Sequence, residues 1–209
     1  MKKLLTLLLL TLPGAALCAE PAVDPREPDQ IILETTETLR ETVNDRRAEF
    51  EENPELLKQL VNRDMLPLID TGYSARLILG RAGRGASPEQ VDRFAAAISN
   101  VLLARYADGL LEFRDGGQFE VLPMKGKNSE RMTRVRTRVY SETGTFTPVD
   151  FAFRKTETGW KAFDVTVEGI SYVMTYRNQI GPRVAEVGID QASEDIESGQ
   201  LSLENLCPR

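Results

Sequence analysis

The sequence contains no histidine. That excludes Ser-His-Asp and Cys-His triads and the usual imidazole metal sites. It has two cysteines in 209 residues, Cys18 and Cys207. Cys18 lies inside an N-terminal segment that reads as removable, and one remaining thiol cannot close an intramolecular disulfide, so the core must hold the fold. No stretch beyond the N-terminus approaches 18 consecutive apolar residues, so no membrane-spanning helix is expected. Basic residues are the minority, 26 Lys and Arg against 32 Asp and Glu for a net charge of −6, which argues against nonspecific nucleic-acid binding.

What is present begins with Met1-Lys2-Lys3, an apolar run from Leu4 to Leu12, and a small-residue end at Ala15-Ala16-Leu17-Cys18-Ala19. This is the order of a secretory signal peptide, so residues 1–19 are read as a signal. Its loss removes Lys2 and Lys3 and takes the net charge to −8, with 24 basic residues left. Leu17 stands where a lipidation motif needs a small residue, and Ala15 where it needs Leu, so Cys18 is not read as a lipid anchor. Residues 20–28 carry three prolines and read as a flexible leader, and residues 29–204 as a single domain.

Asp29 is a candidate cap for a helix with Ile31, Ile32, Thr35, Leu39 and Val43 on one face. Asn53-Pro54 starts a second, which Pro67 kinks or ends, and Tyr73 to Gly80 reads as a short third. Arg81 to Ala86 is a Gly-rich loop without the Lys-Ser/Thr ending of a phosphate-binding P-loop, so a connector is the better reading. Ser87-Pro88-Glu89-Gln90 combines an N-cap, Pro at the first helical position and a capping-box Gln. Val91, Phe94, Ala95, Ile98, Val101, Leu102 and Tyr106 follow at helical spacing to about Leu111.

After Gly116-Gly117 the period changes to two. Strands centred on Phe119–Pro123, Arg134–Val139, Val149–Arg154 and Ala162–Val167 form an antiparallel meander, with turns at Ser141–Gly144 and Thr156–Gly159. Its apolar face holds Val135, Val139, Phe151, Phe153, Val165 and Val167, and its wet face the row Arg131, Arg134, Arg136, Arg138. Gly169 opens a helix with Ile170, Val173, Met174 and Ile180 that ends near Gly181-Pro182, and a last weak helix spans about Ala192 to Leu203. The fold class is α+β, with helices wrapped on one face of a curved four-stranded antiparallel sheet.

Two readings of that interior compete on residues alone: a filled core, as in an adaptor, or a cavity for an apolar ligand. A third places catalysis on Asp150, Asp164 and Glu168 at the sheet rim, as a small hydrolase or isomerase would. The simpler account of those carboxylates is cross-strand pairing with Arg134, Arg136 and Arg138.

Three blocks carry a resemblance. Leu68-Ile69-Asp70-Thr71-Gly72-Tyr73-Ser74-Ala75-Arg76-Leu77-Ile78-Leu79-Gly80 precedes Ala86-Ser87-Pro88-Glu89-Gln90-Val91-Asp92-Arg93-Phe94, and Tyr106-Ala107-Asp108-Gly109-Leu110-Leu111 follows. The most specific block is Gly159-Trp160-Lys161-Ala162-Phe163-Asp164-Val165-Thr166-Val167-Glu168-Gly169-Ile170-Ser171, with Tyr176-Arg177-Asn178-Gln179 after it. Together, over about residues 28–204, they resemble the MlaC family, also called the toluene-tolerance family. The resemblance implies a monomeric periplasmic phospholipid carrier and no enzyme. Its partners would be an outer-membrane lipoprotein–porin complex and an inner-membrane ABC transporter complex with an MCE-domain protein. Phospholipid would be cargo, with no cofactor, metal or nucleic acid. The acyl tails would occupy an apolar pocket and leave the headgroup outside. Assigned to that pocket are Leu66, Ile69, Tyr73, Ile78, Ile98, Leu102, Tyr106, Val135, Val139, Phe151, Phe153, Val165, Val167, Ile170 and Val173. Arg81 and Arg84 are assigned to partner docking. No buried cluster dedicated to a headgroup is legible, so little headgroup selectivity is expected.

Overall fold

The computed structural model describes residues 23–111, 119–123, 129–141 and 143–201; for 103–111 the description covers the backbone alone. Seven helices and five strands follow one another as α1 (Pro28–Asp45), α2 (Arg47–Glu52), α3 (Pro54–Asp64), α4 (Thr71–Leu79), α5 (Pro88–Leu111), β1 (Phe119–Val121), β2 (Met132–Tyr140), β3 (Phe146–Thr156), β4 (Gly159–Val167), β5 (Ile170–Ser171), α6 (Tyr172–Val187) and α7 (Ile189–Glu197). The strands lie in one antiparallel sheet in chain order. The α+β class is as the periodicities imply, with five strands where four were expected. The extra strand, β5, pairs only Thr166 with Ser171 and Val167 with Ile170, which is too short for a period-two pattern to register. Tyr106 lies on α5, but its side chain is outside the described residues.

Local signals place most helix starts. Ser87 Oγ accepts from the backbone N–H of Gln90 at 3.2 Å, and Gln90 Oε1 accepts from the Ser87 N–H at 3.1 Å, completing the capping box of α5. Asp70 accepts from the Tyr73 N–H at 2.9 Å to open α4. At α1 the expectation is off by two residues. Glu27 is the N-cap, its N–H bonded to Gln30 Oε1 at 3.2 Å, and Asp29 sits in the first turn. Residues 23–27, read as part of a flexible leader, pack on the sheet. The Asp24 N–H donates to the Thr158 carbonyl at 3.0 Å, and Gly159, at φ +114°, leaves room for the Asp24 backbone where a Cβ would stand 2.6 Å from its oxygen. Helix α6 runs five residues beyond Pro182. Ile180 and Val184, on either side of it, are both buried, and their burial at about 1.5–3 kcal/mol each offsets one lost helical hydrogen bond.

The buried apolar side chains form three clusters where a compact domain usually has one. The largest joins α4, α5, α6 and α7 around Ile78, Phe94, Ile98, Tyr176, Ile180 and Ile196. A second lies between α1 and the sheet, where Ile31 and Ile32 meet Val135, Phe153 and Trp160. A third closes α1 against α2 and α3 through Val43, Phe50, Leu57 and Leu60. Among the described residues no helix is long and apolar enough to cross a membrane.

Helix α7 carries a buried carboxylate, Asp195. It accepts from Gln191 Nε2 at 3.1 Å and from Arg183 Nε at 2.7 Å, and these two donors hold its carboxyl below the usual carboxylate range. A carboxyl whose folded pKa is depressed stabilises above its unfolded pKa and loses that contribution as pH falls through the folded value. Thermal stability is therefore expected to fall in acid from about pH 4 downward. In Asp195→Asn, melting curves across a pH series should show a lower neutral plateau and a shallower acid decline.

Candidate functional site

Between the first two clusters lies a partly open cavity of about 580 Å³, within the roughly 300–1,000 Å³ of small-molecule sites. Its floor is the sheet at β3 and β4, where Val149, Phe151 and Phe153 face Val167, Val165 and Ala162 in register. The pairing shifts between Ala152 and Phe153, so Phe163 is passed over and both Ala162 and Phe163 reach the wall. The roof comes from α1 (Ile31, Ile32, Thr35), from the end of α3 and the 3₁₀ turn Leu66–Leu68, and from α4 (Ser74, Ala75, Ile78). Helix α5 adds Ala95, Ile98, Ser99 and Leu102, and α6 adds Tyr172, Val173 and Tyr176. Each helical set has the i, i+3, i+4 spacing of one face.

Ten of the fifteen residues assigned from the sequence line this cavity: Leu66, Ile69, Ile78, Ile98, Leu102, Phe151, Phe153, Val165, Val167 and Val173. Four do not. Val135 is fully buried beneath α1, which covers β2, so the sheet face there is filled. Val139 pairs with Phe119 of β1 and Thr147 of β3, outside the cavity floor. Tyr73 is held between two partners: its ring meets Phe163 edge-on at 5.1 Å, and the Arg154 guanidinium lies 4.5 Å from its centre. Ile170, on β5, is exposed. Ile31, Thr35, Ala75 and Ala95 were missed, although each shares a helical stripe with an assigned or noted apolar position. Ile31 is legible only as the inward face of its helix, and the small or hydroxyl-bearing Thr35, Ala75 and Ala95 carry little apolar signal; what makes all four wall residues is the element opposite.

The wall is almost wholly apolar. Among the described residues its one formally charged side chain is Asp164, and both Asp164 oxygens are engaged at the start of α6, by Ser171 Oγ at 2.6 Å and the Val173 N–H at 3.0 Å. A carboxylate at a helix N-terminus is stabilised by the helix dipole, so Asp164 fixes α6 against β4. Asp150 pairs with Arg134 at 3.6 Å, and Glu168 lies in an exposed turn at φ 50°. The three rim carboxylates thus have separate occupations. Arg138 pairs with Glu120 at 3.4 Å, and Arg136 donates to the Pro123 carbonyl at 2.9 Å. Among the described residues, no three His, Cys, Asp or Glu side chains gather as metal ligands.

Arg81 and Arg84 stand exposed in the loop after α4, and no residue of that loop lines the cavity. The loop folds back where Gly80 takes φ +51° under the Arg177 guanidinium. That backbone conformation favours glycine, and a Cβ on Gly80, 2.6–2.9 Å from the guanidinium, would also push the end of the Arg177 side chain away.

An open sheet roofed by helices, with an apolar chamber left between two separately packed cores, defines an α+β domain of the chambered kind. The family model described as "MlaC protein" matches residues 33–198, and the chain belongs to that family. It is 27% identical over 169 residues to the toluene tolerance protein ttg2D of Pseudomonas putida, covering 80% of this chain and 78% of that one. It is 23% identical over 186 residues to the intermembrane phospholipid transport system binding protein MlaC of Haemophilus influenzae, covering 87% and 86%. A solved phospholipid-binding protein from Ralstonia solanacearum, in complex with a phospholipid, superposes with a TM-score of 0.71 at 20% identity. That match covers 82% of this chain and 99% of the other.

Proposed function

We propose that the chain is a periplasmic phospholipid carrier that shuttles lipid between outer- and inner-membrane complexes and performs no bond chemistry. The observation that carries this reading is the apolar chamber between the helix core and the α1–sheet core, whose described walls offer acyl tails almost wholly apolar side chains and a few hydroxyls, the one carboxylate, Asp164, being engaged at the start of α6. The names of the two relatives and of the Ralstonia protein support phospholipid as the occupant. Periplasmic location rests on the signal-like residues 1–19. A filled-core adaptor fits less well, because the chamber is open. So does an enzyme on the rim carboxylates, because Asp150 is paired with Arg134 and Asp164 secures α6.

The energetics suit transport. A two-tailed lipid exposes about 30 methylenes, so its passage through water costs roughly 20–25 kcal/mol at about 0.8 kcal/mol per methylene. A dry chamber removes most of that barrier. Exchange with a bilayer is then nearly balanced, hydrocarbon for hydrocarbon, which allows loading and unloading. Partner docking by a shuttle is weak and reversible and relies on charge for its on-rate. The exposed Arg81 and Arg84 supply such charge on an acidic chain.

Lipid extracted from the gently purified protein and read by mass spectrometry tests the cargo. Phospholipid at up to one per chain is expected, and protein that is empty and takes none from vesicles refutes the carrier. Reversing Arg81 and Arg84 to Glu should leave lipid content and melting temperature nearly unchanged, since exposed charges contribute little to folding. It should slow lipid exchange with the membrane complexes, most at low salt. A wild-type rate across the salt series would leave the loop a connector.

A further inference from the structure

The chamber adjoins a second, polar depression, and the two share Ile69 and Thr71 in their walls. This groove is built where the ends of β2, β3 and β4 meet the start of α4. It gathers four cations, Arg131, Arg154, Lys155 and Lys161, against two carboxylates, Asp70 and Glu157. Arg154 is ion-paired with Asp70 and lies over the Tyr73 ring. Lys155 Nζ is 5.0 Å from the centre of the Trp160 ring, a contact that leaves its charge uncompensated. Arg131, Lys155 and Lys161 form no ion pair among the described residues, so the groove is locally positive on a chain of net charge −6.

The strand register makes this arrangement costly without an anion. Arg154 stands directly opposite Lys161 on one face of the sheet, and Lys155, whose N–H donates to the Arg131 carbonyl at 2.8 Å, stands beside Arg131 on the other, so each face has a cation–cation neighbour at this end of the strands. Like charges placed opposite each other destabilise a sheet. Farther along the same strands Arg134 and Arg138 have Asp150 and Glu120 as partners, and in the groove Arg154 has Asp70, whereas Arg131, Lys155 and Lys161 have no carboxylate partner among the described residues. A phosphate oxygen is the acceptor such a cluster suits. Ile69, 39% exposed at the junction, gives the apolar chamber a hydrocarbon edge where it meets the cations.

We propose that this groove receives the phosphodiester of a glycerophospholipid whose tails lie in the chamber, and that its excess of cations disfavours a headgroup bearing an ammonium, so that the chain takes up anionic phospholipid in preference to zwitterionic. The inference rests on the carrier reading and sharpens it: the chamber accepts any acyl tail, and the groove selects for headgroup charge. It replaces the expectation of little headgroup selectivity.

The test uses delipidated mature protein equilibrated with vesicles of phosphatidylethanolamine containing a minority of phosphatidylglycerol, the bound lipids being quantified by mass spectrometry. Wild type should carry phosphatidylglycerol enriched about two- to five-fold over its share of the vesicle, the size of one solvent-exposed charge contact. The enrichment should shrink as salt is raised. Arg131→Gln/Lys161→Gln, which spares the Asp70–Arg154 pair and the Lys155–Trp160 contact, should bind the same total lipid at the vesicle ratio. Wild type bound at the vesicle ratio overturns the inference while leaving the carrier intact. Uptake of neither lipid overturns both. A separate arm titrates inorganic phosphate into the delipidated protein and follows it by calorimetry. Saturable heat that vanishes in the double variant, together with no phosphatidylglycerol enrichment, would make the groove a free-phosphate site and overturn the lipid assignment.

Discussion

Val165→Trp should leave the protein folded and several-fold poorer in bound lipid. Val165 lies on the cavity floor opposite Phe151, with open volume above it, so an indole there displaces cargo rather than packed side chains. Val135 has the same side chain on the same sheet, paired with that same Phe151, but is fully buried against Ile31 and Ile32. Val135→Trp should overpack and cost about 1–3 kcal/mol, with lipid content changed only as far as folding is. Denaturant midpoints and lipid-to-protein ratios for the pair give the readout. Equal destabilisation of the two variants, with lipid unchanged in Val165→Trp, would mean that the chamber closes in solution.

Phe94→Ala should be the most damaging single truncation to stability. Phe94 is fully buried on α5 among residues of α4, α6 and α7, and it does not line the chamber. Four helices fixed by their other contacts cannot collapse onto the void, so about 3–5 kcal/mol is expected. For a domain of this size that lowers the melting temperature by about 6–20 °C. The comparison needs delipidated protein, because a ligand bound only by the folded state raises apparent stability by mass action. A loss below about 1 kcal/mol would show that the helix core repacks freely.

Sequence alone determined the starts of α3 and α5 and the long strands of the meander, but not the start of α6, where Ile170 and Ser171, read as helix opened by Gly169, form β5 and Ser171 is the cap. Ser87-Pro88-Glu89-Gln90, Asn53-Pro54 and the turns at Gly144 and Gly159 act over four residues, and period-two alternation survives wherever a strand is long enough to show it. It also marked ten wall residues, because a face that turns inward is apolar whether it meets a neighbour or a cargo. That equivalence limited the reading. Val135 and Val165 look alike in the chain, and only the packing of α1 over Val135, with Val165 left facing the chamber, makes one of them core and the other wall. The passage of α6 through Pro182 is likewise decided by burial of Ile180 and Val184 against other helices. The basic groove is the clearest case. Arg131 lies just before β2, Arg154 on β3 and Lys161 on β4, and strand pairing gathers them in a groove that shares Ile69 and Thr71 with a chamber left between two cores. Periodicity reports which way a side chain faces. What it faces depends on contacts between segments far apart in the chain, and those arise only on folding.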